Sequence, residues 1–277
     1  MKKTIISINI PTFNSEKTLK KTLDSIVKQN YKNYEIVIVD HYSTDKTLEI
    51  AKKYTKNIFM DKKRLLGSRR IGANKSKGEI ILVIDSDQVL EPTLLKRIEE
   101  EFSKEDIDMA ILEERSYQPQ NLVEKMTDID RQRVHESFEL DPSKSVLLPR
   151  AFRKKIILAA FDKIDKNLDD FIVVQDHAIL YHESWKISKK IGFIKNAVFH
   201  MEPNTFREVF QHYYAWGKRS KASEKVMPAE YREMFNGKLT NRLKSINWLD
   251  KKTLKTLPLT FIKGLGFKLG LLFSSKK

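Results

Sequence analysis

The stretch that most narrows what this chain can fold into is Glu79-Ile80-Ile81-Leu82-Val83-Ile84-Asp85-Ser86-Asp87. An unbroken apolar run reads as a strand buried on both faces, as in a parallel sheet. It stops abruptly at two carboxylates. Side chains alternate along a strand, so Asp85 and Asp87 are expected on one side and Ser86 on the other. Acids just past the carboxyl end of a buried strand lie where open α/β sheets bind ligands. Such a pair suits a hard divalent cation, which takes oxygen ligands and commonly carries substrate phosphates. An Asp-x-Asp is equally a common way to close a strand in a solvated turn, so its neighbours must decide.

Those neighbours repeat the pattern. Thr4 to Ile10 reads as a first strand, broken by Pro11, which lacks the donor a central strand needs. Asn14 or Ser15 can then cap a helix carrying Leu19, Leu23, Ile26 and Val27. Tyr34 to Asp40 is a second buried strand ending in an acid, followed by a Ser43-Thr44-Asp45 turn and a helix to about residue 54. Asn57 to Met60 is a short strand, Gly67 to Ser76 is helical, and Pro92 opens a helix with Leu95, Ile98 and Phe102 on one face. Strands alternating with helices imply right-handed βαβ units and a mostly parallel sheet. Thr12/Asn14, Asp40/Ser43/Asp45 and Asp85/Asp87 then share one rim. There is no G-x-G-x-x-G after strand one and no G-x-x-x-x-G-K-[ST], which disfavours a dehydrogenase-type dinucleotide fold and a P-loop.

The 277 residues suffice for one large domain, or a domain with an appendage. No cysteine is present, which removes disulfides and thiolate metal sites and fits a reducing compartment. The amino terminus lacks the apolar segment and cleavage site of a signal peptide, and no run of about 18 apolar residues occurs. A formal charge of +15 leaves nucleic acid, an anionic membrane face or phosphorylated substrates as candidate partners. The excess is uneven: Lys251 to Lys277 contains seven Lys and no Asp or Glu.

Ile8-Asn9-Ile10-Pro11-Thr12-Phe13-Asn14 followed by Ile38-Val39-Asp40-His41-Tyr42-Ser43-Thr44-Asp45 resembles the opening of family 2 glycosyltransferases of the GT-A fold. Gly67-Ser68-Arg69-Arg70-Ile71-Gly72-Ala73, Lys77-Gly78-Glu79 and Asp85-Ser86-Asp87 follow that family's pattern in the same order. Ordered motifs together are far more specific than any one of them. The resemblance implies that Pro11, Thr12, Asn14 and Asp40 line a nucleotide site, with Asp40 meeting the base and Arg69 facing the diphosphate. It implies that Asp87, with Asp85 nearby, holds Mg²⁺ or Mn²⁺ against a sugar-nucleotide pyrophosphate. Two departures stand out. His41-Tyr42 replaces the usual Asp or Asn followed by Gly, and Ala159-Ala160 replaces the glycines of a Gly-Gly-Phe-Asp segment. Arg70, Lys75 and Lys77 also suit an ordinary solvated helix face.

Further along, Asp108 to Leu112 is a strand, and Pro119 to His135 is a helix or a long loop over the acceptor side. Val174-Gln175-Asp176-His177 is similar to the family's acidic pair at a helix start, and Asp176 matches its catalytic base. A carboxylate there would remove the acceptor hydroxyl proton as oxygen attacks the anomeric carbon; a helix first-turn acid is the plainer alternative. The Gln-x-x-Arg-Trp signature of processive synthases is absent, which favours single transfer. His200, ending the strand from Ile191, matches a position often used as a further metal ligand. Lys218 and Arg219, after Tyr213-Tyr214-Ala215-Trp216-Gly217, could neutralise phosphate. The tail from Thr253 to Phe273 is apolar with Lys255, Lys263 and Lys268, while Gly264, Gly266 and Gly270 weaken a helix. It suits either an anionic membrane surface or docking on the catalytic domain.

The expected fold is α/β of GT-A type, a Rossmann-like, mostly parallel sheet flanked by helices with a basic, apolar C-terminal appendage. Residues 1–220 would form the catalytic domain, its nucleotide half ending near 112, and 221–277 a helical extension. The expected activity is metal-dependent, inverting transfer from a UDP- or GDP-sugar to a glycan or lipid-linked acceptor hydroxyl. The expected place is cytoplasmic, peripheral at the membrane's cytoplasmic face. A sugar-nucleotide pyrophosphorylase would need a glycine-rich basic amino-terminal loop that Pro11 to Asn14 does not supply. A nucleic-acid-binding protein would explain the charge but leave Asp85, Asp87 and Asp176 as chance, so no nucleic acid is expected as partner.

Overall fold

The computed structural model describes residues 4–136, 139–244 and 250–273. Met1 to Lys3 and the last lysines, Lys276 and Lys277, lie outside the described residues. The chain runs β1 Ile6–Thr12, α1 Leu19–Val27, β2 Tyr34–Asp40, α2 Thr47–Lys52, β3 Ile58–Met60, α3 Leu65–Lys75, β4 Ile80–Val83, β5 Gln88–Leu90, α4 Leu94–Lys104 and β6 Met109–Ser116. It continues through α5 Leu122–His135, β7 Pro149–Arg153, α6 Lys154–Lys163, a 3-10 turn at Lys166–Asp170, α7 Asp176–Ile187, β8 Ile191–His200, α8 Phe206–Glu224, α9 Ala229–Lys244 and α10 Lys251–Leu272.

Among the described residues one sheet has the order β3-β2-β1-β4-β7-β6-β8-β5. Its first half, β3-β2-β1-β4, is parallel. Beyond β4 it is mixed: β7 runs antiparallel to β4 and β6, β8 parallel to β6, and β5 antiparallel to β8. β4 is buried on both faces, as its apolar run requires. Ile80, Leu82 and Ile84 pack with Leu19, Leu23, Leu95 and Ile98 on one side. Ile81 and Val83 pack with Phe161, Ile179 and Leu180 on the other.

Pro11 does not break β1; the strand continues through it, pairing Pro11 with Val39 and Thr12 with Asp40. The reason is parity. Ile84 donates to the Asn9 carbonyl, so the odd residues of β1 direct their backbone groups toward β4. The β4 ladder ends at Asn9, and the donor missing from Pro11 faces a side where no ladder bond is left to make. Asn14 and Ser15 do not cap α1 with their side chains either. Asn14 is left-handed at φ 48° and its Oδ1 accepts from the Thr44 amide. The stretch that sequence left open as helix or loop is α5, started by a capping box between Asn121 and Glu124.

α10 docks on α8 and α5. Lys263 pairs with Asp130 of α5 at 2.8 Å, and Leu259 packs with Val123 of α5 and Val209 of α8. The glycines that lower helix propensity are the means of that docking. A Cβ on Gly217 would lie 2.1 Å from the Phe267 carbonyl oxygen, and one on Gly270 2.1 Å from the Tyr214 carbonyl oxygen. Backbone meets backbone there, and only hydrogen fits. Gly264 instead faces open space. Residue 220, the expected limit of the catalytic part, lies inside α8. Gly270→Ala is expected to destabilise the protein by roughly 1–3 kcal/mol through overpacking. Gly264→Ala is expected to be neutral or to stabilise by up to about 1 kcal/mol. Urea unfolding of the two variants reads the difference, and equal effects would contradict this seam.

Candidate active site

Four strand ends and two helix starts converge at one margin of the sheet. Asp85 follows β4 and sits between two guanidinium groups. Arg69 of α3 donates from Nη2 to Asp85 Oδ1 at 2.5 Å, and Arg150 of β7 from Nη1 to Oδ2 at 3.3 Å. Arg69 also donates from Nε to Oδ2 of Asp176, the first residue of α7. Its remaining Nη1 is buried without a partner among the described residues. A buried guanidinium with one idle donor is prepared for an anion. Burial opposes charge on Asp85, but Arg69 and Arg150 outweigh it and hold the carboxyl well below its usual range.

A second carboxylate, Glu114 of β6, accepts from Arg150 Nε at 2.8 Å and from Arg131 Nη1 of α5 at 3.1 Å, and takes His200 Nε2 at 2.8 Å. Here too burial opposes the charge, while Arg150, His200 and Arg131 hold the carboxyl well below normal. The bulge between Leu112 and Glu114 against β8 makes this placement possible; three β8 residues face one on β6, with Asn196 at φ 46°. His177, next to Asp176, meets Arg150 through Nε2, and burial followed by the charges of Arg150 and Arg69 lowers its pKa.

Asp87 differs from both other acids. Its side chain is 43% exposed, yet Oδ1 is buried with no partner, and His200 Nδ1 lies 3.9 Å away. Burial raises its pKa, His200 offsets part of the rise, and Asp85 adds to it. Asp85 and Asp87 lie past the strand in a turn, so strand alternation does not set their directions. An unpaired carboxylate oxygen and an imidazole nitrogen on adjacent elements form an oxygen and nitrogen donor set that suits a Mg²⁺- or Mn²⁺-like ion. Asp85 contributes less to that set than expected, because both its oxygens are held by guanidinium groups.

The side expected to meet a nucleotide lies at the ends of β1 and β2. Asp40 is fully buried; Thr12 Oγ1 and Ser43 Oγ donate to its Oδ2, and the Ser43 amide to Oδ1. It shapes the loop rather than presenting a free oxygen. Tyr42 stands at φ 53°, the conformation glycine supplies without strain, at a cost of roughly 1–2 kcal/mol for a residue with a Cβ. Phe13 and Tyr42 remain exposed around this point, with Phe13 edge-on to His41 at 5.3 Å.

Residues 7–161 match the model of glycosyl transferase family 2. The chain belongs to that family. Its relatives include glycosyltransferase GlyA of Streptococcus pneumoniae, 37% identical over 105 residues. They also include the poly(ribitol-phosphate) β-N-acetylglucosaminyltransferase TarS of Staphylococcus aureus, 33% identical over 99 residues. These matches take in 34% and 32% of this chain but only 15% and 17% of the relatives' lengths. In fold, residues 1–349 of S. aureus TarS superpose with a TM-score of 0.57 at 16% identity, covering 96% of this chain and 80% of that one. Glucosyl-3-phosphoglycerate synthase of Mycobacterium tuberculosis, solved with Mg²⁺ and UDP, gives 0.53 at 15% identity, covering 82% and 81%. The fold is therefore GT-A, and membership of this family disfavours the pyrophosphorylase reading.

Within this family 2 enzyme, Arg69, Asp85, Asp87, Asp176 and His200 come together, and Pro11, Thr12, Asn14 and Asp40 form the adjoining loop wall. Lys218 of α8 is exposed, its ammonium 5.9 Å from the Tyr214 ring centroid. Arg70 is no solvated face but a buried link, paired with Asp169 at 2.8 Å and donating to the Ile164 carbonyl at 3.0 Å. Ala159-Ala160 lie inside α6, where a helix and not a tight turn is built. Glu114, Arg131, Arg150 and His177 were missed. Glu114 carries a partial signal, since the Glu113-Glu114 pair closes the apolar run of β6 much as Asp40 and Asp85 close theirs; Arg131 carries none. Asp87→Asn should raise the melting midpoint of the metal-free protein at pH 7 by a few degrees. An acid whose folded pKa is raised favours folding only at low pH, and loses that contribution as pH rises. The gain should therefore vanish on acidification below the ordinary aspartate range, which thermal scans against pH will show.

Proposed function

We propose that this enzyme transfers a sugar from a UDP- or GDP-sugar to an acceptor hydroxyl by a single inverting displacement that depends on a divalent cation. One observation carries the proposal: Arg69 binds Asp176 and Asp85 at once, so the expected base and the expected diphosphate region meet at one guanidinium. Asp176 would take the acceptor proton as the oxygen attacks C1, and the C1–O bond to the diphosphate would break with its electron pair leaving on the nucleotide. Arg69 Nη1, buried and unpaired, would meet that phosphate charge. Asp87 Oδ1 and His200 Nδ1 would hold the cation, Mg²⁺ or Mn²⁺, which when bound neutralises charge on the leaving group. The UDP and UDP-GlcNAc complexes of TarS support a uridine donor, and its poly(ribitol-phosphate) substrate supports a glycan-type acceptor. Asp176→Asn is expected to keep donor binding and lose transfer by several orders of magnitude. Asp87→Ala should abolish Mn²⁺-dependent thermal stabilisation by UDP-sugars. Normal transfer by Asp176→Asn would remove the base from this scheme.

We further propose residues 1–220 as the transferring part and 221–277 as an extension that rests on an anionic membrane, where a lipid-linked acceptor would lie. No helix among the described residues is long and apolar enough to cross a membrane. On α10, however, Leu254, Phe261, Leu265 and Leu272 are exposed at spacings of one helical face, beside exposed Lys251, Lys255 and Lys268 and no acid. Apolar side chains ringed by lysines match the interface of an anionic bilayer. Sedimentation with vesicles of anionic phospholipid should carry the protein down at low salt. A Phe261→Glu/Leu265→Glu variant should stay in solution. Equal binding by that variant, or self-association through this face in place of vesicle binding, would overturn the membrane assignment.

A further inference from the structure

His200 receives contradictory instructions from its two neighbours. Its Nε2 lies 2.8 Å from Glu114 Oε2 and 2.6 Å from Gln88 Nε2. The Gln88 amide is oriented by the Asp85 backbone N–H, which donates to Gln88 Oε1 at 2.7 Å, so its nitrogen must face the imidazole. One ring nitrogen cannot donate to Glu114 and accept from Gln88 together. If Nε2 carries the hydrogen, it donates to Glu114 and leaves the Nδ1 lone pair turned to Asp87 Oδ1. If Nε2 accepts from Gln88, the hydrogen moves to Nδ1 and closes the side of the ring facing Asp87.

We propose that Glu114 is a positioning residue of this transferase: it selects the Nε2–H tautomer of His200 and so presents Nδ1, together with Asp87 Oδ1, to a divalent cation. This rests on the metal reading given above. A hydrogen bond to an ionised carboxylate is roughly twice as strong as one between neutral groups, so Glu114 prevails over Gln88. Arg150 and Arg131 hold the Glu114 carboxylate from β7 and α5, and the bulge in β8 shifts the register beside it. The pairing of Gln88 with His200 across β5 and β8 fixes the ring against both competitors. A ligating imidazole usually donates its other N–H to a carboxylate, and loss of that partner costs roughly 10–100-fold in metal affinity.

Nitrogen-15 NMR of the metal-free full chain, at about pH 8 and so above the usual histidine range, reads the tautomer directly. The Nε2–H form is expected for His200, and an Nδ1–H form would overturn the proposal without any variant. Mn²⁺ affinity measured by electron paramagnetic resonance gives the second arm. Glu114→Gln, checked for folding by circular dichroism, should shift His200 toward Nδ1–H and weaken Mn²⁺ roughly 10–100-fold. Wild-type affinity in Glu114→Gln alongside lost binding in Asp87→Ala would overturn the role of Glu114 and leave the metal site standing. Wild-type affinity in Asp87→Ala would sink the metal site itself, and this role with it.

Discussion

The buried guanidinium of Arg69 is the contact on which the rest of this margin depends. A charge this far from water is tolerated only when matched, and Asp176 and Asp85 match it from α7 and β4. Asp85 keeps its charge despite burial because Arg69, together with Arg150, outweighs the cost. The pairing continues through Arg150 to Glu114, and from Glu114 to Arg131 and His200, so that positive and negative groups alternate across several elements. Removing one member leaves its neighbours with unpaired buried charge, a far larger loss than any one surface ion pair.

This network also explains the sheet beyond β4. A purely parallel sheet would carry its polar ends on one rim without closing around them. Here β7 turns back beside β4 and delivers Arg150, while β8 and β5 pair at the far edge and deliver His200 opposite Gln88. The parallel half supplies the loops around Thr12 and Asp40, and the mixed half supplies guanidinium groups and an imidazole. The sheet is thereby a frame that brings groups distant in sequence to a common line.

Most of the parallel half was legible from sequence, because apolar runs ended by acids announce buried strands with functional ends. The helix that starts at Asp176 is legible through the family resemblance, and the strand that ends at His200 through its apolar residues. What failed had local physical causes. In sequence Pro11 reads as a strand breaker, because its backbone parity relative to β4 is a tertiary fact. The α10 glycines were read as weakness because the helix that needs them, α8, is distant in sequence. The pairing of Asp85 with Arg150 is unreadable in principle: an arginine 65 residues on bears no mark of which acid it will meet. Asp40 shows the reverse, a motif residue easily found whose oxygens turn out to be spent on Thr12 and Ser43.

The seam between α8 and α10 reaches further than helix packing. At its far end Ser223 of α8 donates to Gln175, the residue just ahead of Asp176. Two helices locked main chain to main chain cannot roll on each other, so α10, α8 and the start of α7 behave as a single strut. Whatever bears on the outer side of that strut is held at a set height and bearing from the Asp176 carboxylate. Anything docked there is positioned by reach as well as by contact, as on a fixed arm.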